Sequence, residues 1–506
     1  MQKNKTSLMS RFLNLVEKGG NALPHPASLF GILALLALLF SSIGHWLNWS
    51  ALHPATGEQV EIINLLSKEG LHRIILEMVH NYTSFAPLGI VMVALLGIGI
   101  AESSGLISAV IRLLVLNSPK KLLTFVIVFA GIISNMASDL GYVLIIPLGG
   151  IIFHSVGRHP IAGMAAAFAG VSGGFSANLF IGTIDPLLAG LSTEAARILD
   201  PEYYVLPTAN YYFMVASTFL IAIICTWVSD KIVEPRLGAY AGTVPPEPLE
   251  RLNRQERKAL NYVILVILIW AVILGVGIIP NDGFLRGPEN SILKSPILKG
   301  FIAFLFVIAA SLGIVYGFIT GKYKRDADVV KGMVDSFKSL AAFLVLVFFA
   351  AQFVAYFRWS NLGLIIAIEG ANFLQQINLG MVPLLILFII LSGFINLFMG
   401  SASAKWAILG PVFIPMFMLL GYSPELSQAV FRIGDSVTNI ISPMMSFFAL
   451  IIVYFEKYEP KSGIGTLIST MLPYTLVLFI GWSVLLIVWT LLNLPLGPGA
   501  GIYYPG

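Results

Sequence analysis

Between Met381 and Tyr454 the chain carries charges, amides and prolines inside apolar runs of the length that crosses a lipid bilayer, and few folds tolerate that combination. Gly400-Ser401-Ala402-Ser403-Ala404-Lys405-Trp406 interrupts one such run, and Pro411 and Pro415 follow in the returning arm. This reads as a hairpin that enters and leaves the membrane on one side. Arg432, Gly434, Asp435, Ser436, Thr438, Asn439, Ser442 and Pro443 then fall in the middle of a segment, 427–453, that must span. Hydrocarbon offers no hydrogen bonds, so broken backbone at membrane depth persists only where protein or a water-filled cavity encloses it. The stretch therefore predicts a binding site.

The whole chain agrees with that setting. Only 11% of its 506 residues are charged and 57% are hydrophobic, against about 25% charged in soluble domains, so an all-α polytopic membrane protein is expected. A formal charge of +4 reflects where basic residues sit in a membrane topology and gives no reason to expect nucleic acid as a partner; lipid is the expected surroundings. One cysteine, Cys225, excludes a disulfide framework. The first apolar run, Ser28 to Leu47, is too long for a signal-peptide core and is expected to remain as a span.

Apolar runs of about 20 residues predict nine spans, at 28–47, 84–101, 160–182, 210–229, 259–280, 299–320, 339–357, 427–453 and 466–492. The stretches 121–153 and 381–420 are too long for one span and broken in the middle, and are read as two re-entrant helical hairpins. With the N-terminus cytoplasmic, about 21 of the 30 basic residues fall on the inside, as the positive-inside rule requires. Residues 48–83 and 185–210 read as external loops, and 359–379 as an interfacial helix. Met136 to Pro147 can be laid over Gly400 to Pro411, matching Tyr142 to Trp406 and Pro147 to Pro411; Asn178 and Asp185 then have weaker counterparts in Asp435, Asn439 and Pro443. This predicts inverted repeats at 84–229 and 339–492, after an N-terminal segment 1–83, joined by a linker with scaffold spans at 230–338, and followed by a tail at 493–506. Carriers built from such repeats bind substrate and coupling ions on discontinuous helices at the repeat interface, and homodimerisation is the expected way to brace one.

Charges at membrane depth cost at least about 2.5–3.5 kcal/mol each when unpaired, so Asp139, Asp185, Asp435, Lys405 and Arg432 each need a partner or a task. Arg432 and Asp435, three residues apart, could neutralise one another on one helical face. Asp435 with Ser436, Thr438 and Asn439 offers carboxylate, hydroxyl and amide oxygens suited to Na⁺, and the same aspartate could relay H⁺. Asp139 lies at the tip of the first hairpin with Ser134, Asn135 and Ser138, where turn chemistry competes with function. Asp185 precedes Pro186 and either ends a helix or serves the site. At the second hairpin tip, Ser401, Ser403 and Lys405 accompany half-helix N-termini that favour anions, and Trp406 could stack an aromatic ring or merely anchor the interface. Asn178 completes the candidates. Gly170-Val171-Ser172-Gly173-Gly174 matches G-x-S-x-G, yet all seven histidines lie at or before His159, so no later span can supply a base. The glycines are better read as helix-packing residues. No nucleotide-binding loop is present, which points away from enzymes and ATP-driven pumps and towards ion-coupled transport, with a channel as the rival reading.

Pro24-His25-Pro26, Phe85-Ala86-Pro87-Leu88, Val156 to Pro160, Gly173 to Asn178, Ser192 to Ala195, Ile232 to Arg236, Ala404-Lys405-Trp406 and Arg432 to Asp435 resemble the AbgT family of p-aminobenzoyl-glutamate transporters, nearly end to end. The resemblance implies a homodimer of elevator-type carriers in the bacterial inner membrane, each protomer with nine spans and two hairpins. It implies import of p-aminobenzoyl-glutamate or export of p-aminobenzoate and sulfonamide antimetabolites. It also implies ion or proton coupling at Asp185 and Asp435, and substrate-path roles for Ser403, Trp406, Pro424 and Pro443.

Overall fold

Runs of apolar residues with helix-starting residues at their heads decide the local structure. The computed structural model describes residues 24–52, 57–116, 119–137, 141–242, 244–245, 252–292, 295–377 and 379–505. In chain order its principal helices are α1 (Pro26–Trp46), α2 (Lys68–Thr83), α3 (Ala86–Ser103), α4 (Leu106–Leu116), α5 (Leu123–Ser134), α6 (Ile146–Ser155), α7 (Pro160–Phe168), α8 (Ile184–Ala196), α9 (Tyr211–Val228), α10 (Arg254–Ile278), α11 (Phe301–Thr320), α12 (Asp326–Trp359), α13 (Leu362–Ile377), α14 (Met381–Asn396), α15 (Ala402–Leu419), α16 (Pro424–Asn439), α17 (Phe448–Tyr458) and α18 (Ile464–Leu491). Ser67 caps α2 through the Gly70 N–H, Ser401 caps α15 through that of Ala404, and Ser423 caps α16 through that of Leu426. Proline opens α1, α7 and α16, where its missing N–H costs nothing.

Seven of the described helical segments are long and apolar enough to cross a membrane, or eight if the bent α12 counts as one span. Six of the nine expected spans coincide with such segments: 28–47, 84–101, 210–229, 259–280, 299–320 and 466–492. The expected span 339–357 is the C-terminal part of α12, which bends by 49° between Lys338 and Phe343. The other two, 160–182 and 427–453, are broken: α7 runs through a π-helical turn at Ala169–Gly173 into a non-helical stretch before α8, and α16 gives way at Ile440 to a break before α17. Residues 185–210 are not an external loop over their first half, because α8 is helical and buried throughout after its first residue, its polar Asp185, Ser192, Thr193 and Glu194 included. Residues 48–83 hold a small antiparallel hairpin, β1 (Ser50–Leu52) against β2 (Gln59–Glu61), followed by α2.

The helices pack in two groups. Peripheral helices α1, α2, α3, α10, α11 and α12 contact one another, chiefly α3 with α11 and α12, and α1 with α12. Central helices α5 to α9 and α14 to α18 share one large apolar cluster, which also extends onto α1, α2, α3 and α12. Helix α8 joins the groups, lying against α3 on one side and α15 on the other. Within the centre, one contact occurs twice. A Cβ on Gly170 would strike the Val128 carbonyl, and a Cβ on Gly434 would strike that of Ile389; the Asn135 amide donates to Val171 O at 3.0 Å, and the Asn396 amide to Asp435 O at 2.8 Å. Val128 and Asn135 match Ile389 and Asn396 at one sequence offset, and Gly170 and Val171 match Gly434 and Asp435 at another. In this register Asp435 corresponds to Val171, which replaces the expected correspondence of Asp435 with Asn178 or Asp185.

Gly434→Ala is expected to cost about 3 kcal/mol, at the upper end of overpacking, because the added carbon meets backbone and the Ser392 Cβ at 2.7 Å. An unchanged thermal unfolding midpoint in detergent would contradict the crossing.

Candidate functional site

The two interrupted helices cross at their breaks, where the Ser176 N–H donates to Ser436 Oγ at 3.2 Å. The π-helical turn Gly141–Ile145 reaches the second break, with Tyr142 stacked on Phe447 at 4.5 Å. Four charges are buried around this crossing: Asp185 at 1% exposure, Lys405 at 1%, Arg432 at 3% and Asp435 at 1%. They form two ion pairs. Lys405 Nζ contacts Asp435 Oδ1 and also donates to Asn396 Oδ1. Arg432 Nη2 lies 2.7 Å from Asp185 Oδ1, and Asp185 Oδ2 accepts the Gly182 N–H at 2.7 Å.

The pairing of Arg432 with Asp435 along one helix does not form. Each instead takes a partner from another element, because Lys405 on α15 and Asp185 at the head of α8 both converge on α16. Asp185 therefore belongs to the site and is no simple helix terminator, although its place in the first turn also suits the helix dipole. Arg432 is only partly satisfied. Its Nη1 faces the Met214 sulfur at 3.4 Å, and its Nε is buried without a hydrogen-bond partner among the described residues.

Asn396 organises the break in α16. Its Nδ2 lies 2.8 Å from each of three oxygens, Asp435 O, Thr438 Oγ1 and Asn439 Oδ1, whereas an amide nitrogen has two hydrogens to give. Asn439 returns to the Asp435 carboxylate at 3.4 Å. The expected oxygens of Asp435, Thr438 and Asn439 do gather in one place, with Lys405 Nζ beside them. Asn396 itself was missed in the sequence. The signal was an amide at the end of a wholly apolar run, but nothing local separates it from a helix-ending residue.

Trp406 is fully buried, its ring stacked on Phe431 at 4.5 Å and 26°. Its Nε1 donates to Ser192 Oγ at 2.9 Å, Ser192 Oγ to Gln428 Oε1 at 2.7 Å, Gln428 Nε2 to Asn210 Oδ1 at 2.9 Å and Asn210 Nδ2 to Glu425 O at 2.9 Å. The chain ties α15 to α8 and α16. Its members Gln428 and Asn210 carry no sequence motif and were invisible before the tertiary packing, and Ser192 stood out only as part of a family-like stretch. Trp406→Phe keeps the stack but leaves Ser192 with one fewer partner; a loss of about 1 kcal/mol is expected, read as a fall in the thermal midpoint, and no fall would show the chain to be slack.

Of the other expected residues, Ser401 and Ser403 lie half-buried at the head of α15 with their hydroxyls 3.2 Å apart. Asn178 is engaged at both ends of its amide, accepting from Leu179 N at 2.8 Å and donating to Ile132 O at 3.2 Å. Pro424 is the buried first residue of α16, and Pro443 is half-buried in the break before α17. Asp139 and Ser138 lie outside the described residues. Ser172 is buried against Tyr142 OH at 3.3 Å, and its flanking glycines pack on α5, Gly170 on Val128 and Gly174 on Ile132. Among the described residues no group of three or more His, Cys, Asp and Glu side chains could hold a metal ion.

Comparison with known proteins gives consistent relatives. The profile of the AbgT putative transporter family matches residues 11–504. The p-aminobenzoyl-glutamate transport protein of Escherichia coli (strain K12) is 38% identical over 495 residues, 98% of this chain and 97% of that protein. Two solved structures superpose closely. The YdaH transporter of Alcanivorax borkumensis has 47% identity and a TM-score of 0.89, over 94% of this chain and 100% of that one. MtrF of Neisseria gonorrhoeae, described as illuminating a class of antimetabolite efflux pumps, has 50% identity and a TM-score of 0.92, over 97% of this chain and 100% of that one.

Proposed function

The chain belongs to the AbgT putative transporter family, a family of membrane transporters and not of enzymes, and from that premise we propose that it is an ion-coupled secondary carrier of p-aminobenzoyl-glutamate or related aromatic carboxylates. The observation that carries this reading is Arg432. A buried guanidinium that holds Asp185 yet keeps Nε without a partner among the described residues has a donor left for a substrate carboxylate, and arginine's planar fork suits that group. Ser401 and Ser403 offer hydroxyls at the mouth of the same region. Trp406 and Phe431 supply aromatic surface, which a ring could reach if α15 shifts.

Each buried carboxylate here already has a cation: Lys405 for Asp435, Arg432 for Asp185. A Na⁺ at Asp435 and Asn439 would compete with the Lys405 ammonium for one carboxylate, whereas a proton can neutralise Asp435 and free Lys405. This supports H⁺ as the coupling ion. The likeness to MtrF favours a second reading, export of p-aminobenzoate and sulfonamide antimetabolites by the same site under the proton-motive force.

The working arrangement is an elevator in the inner membrane, with the N-terminus cytoplasmic and the segments 121–153 and 381–420 as inverted re-entrant hairpins. The central helices move, and the peripheral helices form a fixed scaffold and a homodimer contact. In support, the apolar windows of α10 and α11 are only 17% and 22% buried within one chain, so lipid or a second copy covers the rest.

The test is radiolabelled flux in proteoliposomes, offering p-aminobenzoyl-glutamate and p-aminobenzoate separately under an imposed pH gradient or Na⁺ gradient. Saturable accumulation driven by the pH gradient is expected. Accumulation driven by Na⁺ alone would overturn the choice of ion, and non-saturating, gradient-independent flux would make the protein a channel.

A further inference from the structure

A polar cavity of about 250 Å³ lies where α8 meets the peripheral helices. Its polar lining comes from both groups: Glu194 and Arg197 at the far end of α8, Arg358 near the end of α12, and His80, Asn81 and Ser84 at the end of α2. Asp185 and Glu194 stand at opposite ends of the same helix, about 14 Å apart along its axis at 1.5 Å per residue, so this cavity is separate from the buried ion pairs.

The charges in the cavity do not balance. Glu194 is 9% exposed and is already committed. It accepts the Ala86 backbone N–H, one of the free donors at the head of α3, whose own N-cap residue Phe85 makes no side-chain bond. It also lies 3.4 Å from Arg197 Nη1, and Arg197 Nε donates to Tyr203 O at 3.3 Å. Arg358 is half-buried and acts on the Glu194 carboxylate through space, but among the described residues it has no carboxylate within ion-pair distance and no side-chain hydrogen bond. One carboxylate thus serves two guanidinium groups, and a net positive charge lines a space large enough for a small anionic group.

We propose that this cavity is an oxyanion-binding site, distinct from the central one, in which Arg358 provides the main contact and Arg197 the second. The ligand class is a carboxylate or phosphate monoanion, since both match the guanidinium fork. Two sources present that chemistry: a carboxylate of the transported substrate, which rests on the function proposed above, and an anionic phospholipid headgroup, which does not. Because Arg358 belongs to the peripheral group and Arg197 to α8, a bound oxyanion bridges the two groups and holds α8 where the structure shows it.

The test is equilibrium dialysis of the purified full-length protein in neutral detergent. The probes are radiolabelled p-aminobenzoyl-glutamate, and in a separate arm dihexanoylphosphatidylglycerol with dihexanoylphosphatidylcholine as the zwitterionic control. The expected result is two classes of bound anion per protomer, of which Arg358→Gln weakens one at least tenfold and Arg358→Lys weakens the same one less. Retention of the central class reports that the variant is folded, and Arg197→Gln is the replacement if Arg358→Gln is not. An Arg358-dependent class seen with phosphatidylglycerol alone assigns the site to lipid. If neither probe shows an Arg358-dependent class, the proposal is overturned. Failure of the aromatic carboxylate to bind anywhere would instead defeat the proposed function and leave the lipid arm to decide this site.

Discussion

Lys405→Met is expected to abolish transport and to destabilise the protein by roughly 3–5 kcal/mol, the usual cost of removing one member of a buried ion pair. The change leaves the Asp435 carboxylate at 1% exposure with only the long Asn439 contact of 3.4 Å to its side chain and removes the donor that meets Asn396 Oδ1. Adding Asp435→Leu removes the stranded charge. Replacing a buried pair with apolar groups of similar volume is often neutral or stabilising, so the double variant is expected to recover most of the lost stability and none of the transport. Thermal unfolding in detergent and flux in proteoliposomes read the two effects apart. If the single variant unfolds within about 1 kcal/mol of the parent, the pair is not what holds α15 to α16; if the double variant transports, neither residue couples ions.

Asp185→Asn is expected to reduce transport to the level of protein-free liposomes while keeping part of the local structure. Asparagine can still accept the Gly182 N–H that Asp185 Oδ2 accepts at 2.7 Å, so the head of α8 stays formed. Arg432 at 3% exposure then has no buried counter-charge, again at a cost of roughly 3–5 kcal/mol. Arg432→Lys makes the informative contrast. It preserves a positive charge for Asp185 but removes the fork, so the KM for the carboxylate substrate should rise about tenfold, equivalent to about 1.4 kcal/mol, with a smaller effect on maximal rate. Equal KM values for Arg432→Lys and the parent would exclude Arg432 from the substrate contact, and near-normal flux in Asp185→Asn would exclude the carboxylate from coupling.

Much of the architecture was legible in one dimension because a bilayer imposes length and polarity on every span. The runs at 28–47, 210–229, 259–280, 299–320 and 466–492 each became one long helix. The polar interruptions at Gly174 to Thr183 and Ile440 to Phe447 became breaks, since glycine, proline and amides cannot continue an apolar helix cheaply. Residues 185–210 were misread because Asp185, Ser192, Thr193 and Glu194 look like loop polarity. In the fold each of the four is buried and bonded or paired, so α8 is a central helix. The resemblance of Arg432 to a possible partner for Asp435 was likewise a spacing argument, and spacing along one helix says nothing of what approaches from its other sides.

By itself the sequence determined that this chain crosses a membrane several times, that two of its apolar stretches are interrupted, and that the charges there need partners; hydropathy and the cost of unpaired charge in lipid suffice for that. Only the tertiary structure decided the partners. The close glycine crossings of Gly170 on Val128 and Gly434 on Ile389 set how the interrupted helices meet, and that meeting joins Lys405 to Asp435 and Arg432 to Asp185 across distant parts of the chain. A buried ion pair depends on geometry at the scale of a few ångströms, which residue order does not encode until the helices have packed.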